Sequence, residues 1–146
     1  MSLPLIAVLN GPNLNMLGLR QPEVYGSATL DDVEQLCAET AEGLGLAIDF
    51  RQTNSEGEYV GWIHDAHGDA DGVVVNPGAW SHYSYAIRDA LEILVIPIVE
   101  VHLSNIEERE EWRRHSVIAD LAAHRVIGKG PAGYREALAY LAGKPT

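Results

Sequence analysis

Polar and apolar positions along this chain follow two alternating rhythms. Short strand-like runs occur at Leu3–Leu9, Ala47–Thr53, Gly72–Val75, Val95–His102 and Ala123–Ile127. The first is apolar nearly throughout, as expected of a strand buried on both faces of a parallel sheet. Between these runs, apolar residues recur every three to four positions. Leu30, Val33, Cys37, Ala41 and Leu44 form one helical stripe. Thr29 with Asp32 three residues later gives it a capping-box start, and Gly45 gives it a stop. Glu58–His67 reads as a short helix with Val60, Ile63 and His67 on one face. Ser84–Leu94, the heavily charged Glu107–Asp120 and Pro131–Leu141 read as further helices. In the last of these, proline sits early, where its missing N–H does no harm. Pro97 inside the fourth strand argues for a bulge or an early position there.

Strands alternating with helices predict an α/β fold, a flavodoxin-like three-layer sandwich around a five-stranded parallel sheet of order 2-1-3-4-5. The 146 residues suit one compact domain spanning 1–146. In such sheets ligands bind beyond the carboxyl ends of the strands. Asn13, Arg20 and Tyr25 follow the first strand, Asn76 and His82 the third, and Glu100, His102 and Ser104 end the fourth. All three loops open on one rim.

Glu100 and His102 are two apart on a strand, so they share a face. A carboxylate beside an imidazole fixes its tautomer and suits a general acid, although such a pair can also be a plain salt bridge at a sheet edge. Tyr25 is a poor base unless a cation lowers its pKa, and a shift of about three units needs about 4 kcal/mol. Arg20 is the nearest candidate; a surface tyrosine packed on proline is the competing reading. Asn13 and Asn76 adjoin proline and glycine, so turn formation competes with ligand contact. Arg109 and Arg113 fit a solvated helix face with paired charges.

Composition narrows the partners. The net charge is −11, with two lysines and eight arginines. Such a surface repels phosphate backbones and disfavours nucleic acid. The start "MSLPLIAVLN" lacks the basic opening of a signal peptide, and no apolar run nears the roughly 20 residues of a membrane span. A cytoplasmic protein without a membrane anchor is the expectation. Cys37 has no internal partner and fits the core stripe.

Four long blocks then carry a resemblance: "GPNLNMLGLRQPEVYG", "QTNSEGE", "NPGAWSHYSYAIRDAL" and "EVHLSNIEEREEWRRHS", with a closing "GKGPAGYREALAYL". In order and over about residues 7 to 141, they resemble the type II 3-dehydroquinate dehydratase family. The resemblance implies anti elimination of water from 3-dehydroquinate through an enolate, giving 3-dehydroshikimate, in the shikimate pathway or in quinate breakdown. It implies no cofactor, no metal and no Schiff base, and a homo-oligomer, a dodecamer built as a tetramer of trimers. By the same resemblance Tyr25 is the base, with Arg20 lowering its pKa, and Asn13 orients a water at the enolate oxygen. His102 is the general acid, oriented by Glu100. The Leu103 and Ser104 amides, with the Ser104 hydroxyl, hold the substrate carboxylate. Asn76, His82 and Arg113 bind ring hydroxyls, and Asp89 approaches a neighbouring subunit's site. Gly18 and Gly26 bracket a loop able to act as a lid.

The chain departs from the family pattern at Gln21, Thr53, Tyr83 and Trp112. None of these removes a catalytic group. The other class of dehydroquinate dehydratase uses a buried lysine, whereas Lys129 in a glycine-rich turn and Lys144 near the end are expected to be exposed. Competing readings are a flavin-phosphate module, a phosphoacceptor domain, a metal hydrolase on His64 and His67, and an inactive scaffold. The first lacks a hydroxyl-rich phosphate loop. The second lacks the required acids. The third lacks placed partners for its histidine pair. The fourth must explain an intact Asn13, Arg20, Tyr25, Glu100 and His102.

Overall fold

A computed structural model of the chain describes residues 2–19, 23 and 27–143. Five parallel strands, β1 (Leu5–Asn10), β2 (Ala47–Gln52), β3 (Gly72–Asn76), β4 (Ile98–His102) and β5 (His124–Ile127), form one sheet in the order β2-β1-β3-β4-β5. The described helices are α1 (Leu30–Leu44), α2 (Glu56–Asp69), α3 (Tyr85–Ile93) and α4 (Ala132–Leu141). The expected fold class and strand order therefore hold.

Strand alternation divides the core. Ile6, Val8, Val74, Val99, Val101 and Val126 pack under α1 and α4 against Val33, Cys37, Tyr134 and Leu138. Ala7, Leu9, Val73, Val75 and Ile98 pack under α2 and α3 against Tyr59, Ile63, Ile87 and Leu91. Burial pushes the Cys37 thiol up to about 12, which suits a packing role. Thr29 and Asp32 form the expected reciprocal cap of α1, and Gly45 ends that helix with φ 73°, a conformation glycine adopts without steric cost.

Three expectations need correction. Glu107–Asp120 is not a helix. The chain there makes short 3-10 turns at Ile106–Glu108, Glu111–Arg113 and Ala119–Leu121. "REEWRRH" has no apolar stripe to bury, and the segment is instead tied down by specific bonds. The Asn105 side chain caps the first turn, and the Val117 N–H reaches the Ser81 carbonyl at 2.7 Å. His67 is exposed, because the buried face of α2 is Tyr59, Ile63 and Ala66. β4 begins at Ile98, so Pro97 precedes it and offers only its carbonyl, to the Val73 N–H at 3.0 Å.

Gly11 sets the geometry where β1 leaves the sheet. Its N–H donates to the Asn76 carbonyl at 2.8 Å, and a Cβ there would lie 2.6 Å from the Pro77 carbonyl oxygen. Only glycine lets the loops after β1 and β3 approach this closely.

Candidate active site

The carboxyl ends of β1, β3 and β4 open on a cleft lined by Asn13, Leu14, Asn76, His82, His102, Leu103, Ser104 and Arg113. Parallel pairing aligns these ends. Asn10 of β1 faces Asn76 of β3, and Val75 faces Glu100 of β4. The structure thus gathers most of the residues that the sequence nominated. Arg20 and Tyr25 lie outside the described residues. Asp89 is not in the cleft; it stands exposed on α3.

His102 and Glu100 form the centre. His102 Nε2 donates to Glu100 Oε2 at 2.6 Å, and both side chains are buried. Glu100 also accepts from the Ser116 hydroxyl at 2.7 Å and from Arg125 Nε at 2.8 Å. Burial alone would raise the Glu100 carboxyl, but the bonds from His102, Ser116 and Arg125 outweigh it and hold the group at about 2. A permanent carboxylate therefore keeps a proton on His102 Nε2. Nδ1 is the ring nitrogen turned away from Glu100.

A second histidine stands beside the first. The rings of His82 and His102 lie 6.5 Å apart and within 16° of parallel. His82 Nδ1 donates to the His115 carbonyl at 2.7 Å, which leaves Nε2 as an acceptor in the neutral ring. Burial, with His102 and Arg113 nearby, holds His82 below the ordinary histidine value despite that hydrogen bond. Trp112 meets His82 edge-on at 5.6 Å, and the Arg113 guanidinium lies 4.1 Å over the Trp112 ring. Arg113 also donates to Glu110 at 2.6 Å.

The turn after β4 can receive an anion. The Leu103 and Ser104 N–H groups make no backbone hydrogen bond among the described residues. The Ser104 hydroxyl accepts from Arg109 at 3.3 Å, so its own hydrogen is directed elsewhere. Across the cleft Asn13 has φ 69°, left-handed backbone that asparagine tolerates better than most residues. Its N–H donates to Asn54 Oδ1 at 2.9 Å. Gln52 Nε2 ties the same loop to Asn54 and to Asn15, which assigns Asn15 to holding the loop.

A profile of the family described as dehydroquinase class II matches residues 4–142. The chain belongs to this family. It is 55% identical over 139 residues to the 3-dehydroquinate dehydratase 2 of Pseudomonas putida, covering 95% of this chain and 93% of that one. It is 56% identical over 140 residues to the 3-dehydroquinate dehydratase of Rhodopseudomonas palustris, again over 95% of this chain and 93% of that one. The crystal structure of the type II dehydroquinase of Propionibacterium acnes superposes with a TM-score of 0.94 at 49% identity, over 97% of this chain and 98% of that one.

Sequence reasoning missed several supports of this class II dehydroquinase cleft. Arg125 and Ser116 went unassigned, yet they pin Glu100. The register that pairs Glu100 with Arg125 could have found the first; nothing local marks the second. Asn10 and Tyr134 also went unassigned. The Tyr134 hydroxyl bridges the two strand-end asparagines. Lys129 is exposed and pairs with Glu136, as its glycine-rich turn suggested. Among the described residues, no group of three or more His, Cys, Asp or Glu side chains is arranged to hold a metal ion. A wider groove between α1 and α4 is lined by Asp32, Glu39, Arg135 and Glu136, and its Glu136 is engaged by His124 Nε2 at 2.9 Å and by Lys129.

Proposed function

We propose that this class II dehydroquinase is a 3-dehydroquinate dehydratase of the shikimate pathway. It eliminates water from 3-dehydroquinate to give 3-dehydroshikimate. The observation that carries this reading is the match to proteins of that name along 95% of the chain. The rim agrees with it, because a buried carboxylate–imidazole pair faces a cleft with free amide donors and a neutral histidine.

The reaction needs a base for the proton beside the ketone, donors for the enolate, and an acid for the departing hydroxyl. Tyr25 is the base, as a phenolate that Arg20 stabilises. Asn13 orients a water at the enolate oxygen. When the carbon–oxygen bond breaks, the electron pair leaves with the hydroxyl, and His102 Nδ1 supplies the proton that makes it water. Glu100 holds Nε2 protonated and so dedicates Nδ1 to that transfer. The proton taken by Tyr25 returns to His102 between turnovers, so the enzyme ends as it began. Leu103 and Ser104 hold the carboxylate, and Asn76, His82 and Arg113 hold ring hydroxyls. No step calls for a cofactor or a metal.

The same reading extends to assembly and place. The chain is one catalytic domain, supported by a single family match over residues 4–142. It forms a homo-oligomer, a dodecamer arranged as a tetramer of trimers, in which the exposed Asp89 reaches a neighbouring site. It acts in the cytoplasm; among the described residues no helix is long and apolar enough to cross a membrane. Sedimentation analysis tests the assembly, and a monomer at working concentration would refute it.

The activity test is direct. Purified protein is added to 3-dehydroquinate, and the ultraviolet absorbance of the conjugated enone product is followed. A rising signal that survives chelator and borohydride is expected. No signal from folded protein would refute the reading, and an adduct trapped by borohydride would replace the enolate route with an imine.

A further inference from the structure

On the sheet face opposite Glu100, a buried chain of neutral groups reaches the same cleft. The Tyr134 hydroxyl of α4 donates to Asn10 Oδ1 at 2.7 Å and accepts from Asn76 Nδ2 at 2.9 Å. Asn10 Nδ2 donates to the Arg51 carbonyl at 2.9 Å, and Asn76 Oδ1 accepts from the Gly78 N–H at 3.3 Å. The direction of this chain is fixed at both ends by groups that cannot reverse. A backbone carbonyl only accepts, so Asn10 must turn its nitrogen to Arg51 and its oxygen to Tyr134. The phenol must then donate to Asn10, and its lone pair takes an N–H from Asn76. At the other end a backbone N–H only donates, so the Asn76 oxygen must face Gly78. The two anchors demand the same orientation.

Asn76 lines the cleft, whereas Asn10 and Tyr134 are buried behind it. With its oxygen spent on Gly78 and one N–H on Tyr134, Asn76 has its second N–H left for a ligand. We propose that Tyr134, with Asn10 behind it, is a positioning residue that locks Asn76 as a hydrogen-bond donor toward the cleft, so that this part of the site selects an acceptor oxygen on the substrate. Removing the phenol hydroxyl orphans the Asn76 N–H and the Asn10 oxygen together. The two amides then relax toward each other, and the donor turns out of the cleft.

The inference rests on the dehydratase reading for its assay. In Tyr134→Phe, KM rises about tenfold, the loss expected when one substrate hydrogen bond is misaimed. Because the contact is the same in the ground and transition states, kcat stays within about twofold, and its pH profile is unchanged. Tyr59→Phe is the matched control. It removes an equally buried hydroxyl, which donates to the Leu9 carbonyl at 2.9 Å on the opposite face, and its KM is that of the wild type. In an Asn76→Ala background, Tyr134→Phe adds nothing further to KM. Asn10→Ala keeps the phenol but removes the acceptor that aims it, and it raises KM in the same direction should Tyr134→Phe not fold.

Wild-type turnover is measured first. Its absence defeats the dehydratase reading and this inference with it. An active wild type with unchanged KM in both relay variants, an equal rise in Tyr59→Phe, or additivity with Asn76→Ala overturns the relay alone.

Discussion

Replacing Glu100 by glutamine tests the site where its charge is held most tightly. The isostere has no orientation that satisfies the three donors Glu100 receives. With the amide oxygen toward His102 and Ser116, the amide nitrogen faces Arg125 Nε, donor against donor. With the amide reversed, Arg125 is satisfied, but His102 Nε2 must shed its proton to accept from the amide; the ring is then neutral, and giving up its one remaining proton, on Nδ1, would leave an imidazolate. In either orientation the doubly protonated ring loses the carboxylate that faces it, so activity falls by roughly 100-fold or more, the usual contribution of a positioned acid.

The stability cost follows from the carboxyl itself. Its fall from 4.5 to about 2 on folding is worth about 3 kcal/mol in favour of the ionised folded state. A depressed carboxyl contributes fully above its unfolded value and loses that contribution as pH falls through its folded value. The wild type is thus expected to exceed Glu100→Gln by about 3 kcal/mol at pH 7. The gap should close by about 1.4 kcal/mol per pH unit between about pH 4.5 and pH 2. Urea unfolding of both proteins at one concentration, stepped from pH 7 to pH 3, measures it. A gap that stays constant over that range would show that the bonds to Glu100 do not depend on its charge, and the argument would fail.

Three further outcomes are expected. His102→Ala should lose at least about 100-fold in kcat while remaining folded by circular dichroism, and substantial turnover would remove it as the acid. Tyr25→Phe should bind substrate nearly as the wild type does but scarcely turn over, which calorimetric titration beside the absorbance assay would show; near-normal kcat excludes Tyr25 as the base. Gly11→Ala should lose about 2 kcal/mol in urea unfolding, because its Cβ would meet the Pro77 carbonyl oxygen at 2.6 Å, and an unchanged midpoint would refute the close approach of the two loops.

The fold was legible because the elements that matter to it advertise themselves. Thr29, Asp32 and Gly45 mark α1 by local chemistry, and the strand runs need no partner to be recognised. The Glu107–Asp120 segment was misread because charge density alone does not separate a solvated helix from a loop pinned by tertiary bonds. Its fate is decided by the Ser81 carbonyl and by Glu100, both distant in sequence. The site divides in the same way. Glu100 and His102 could be paired from their two-residue spacing, but Ser116 and Arg125 reach Glu100 from sixteen and twenty-five residues away. Asn10 and Asn76 could be placed at strand ends, but the phenol that joins them is 124 residues from the first. Groups that touch the cleft lie in recognisable loops, while those that aim them come from wherever the fold brings the chain back.

That division also separates two kinds of control over one cleft. Alternation along β3 and β4 sends Asn76 to the α1/α4 side of the sheet and Glu100 with His102 to the other, although Val75 and Glu100 are register partners. Each layer buries a polar network, and among the described residues no buried side-chain nitrogen or oxygen lacks a partner. The two networks differ in charge. The amide–phenol chain is neutral: burial drives the Tyr134 phenol well above its ordinary value, so it does not ionise near neutrality. The Glu100 network is charged, and its stabilisation depends on acidity. Mild acid should therefore weaken the layer that holds His102 and leave the layer that holds Asn76 intact. In wild-type protein Glu100 then contributes to the fall in stability below about pH 4.5, beside Glu110, Asp120 and Glu136, whose carboxyls are also held low by facing cations, whereas the effect of Tyr134→Phe on KM is the same at every pH where the enzyme turns over.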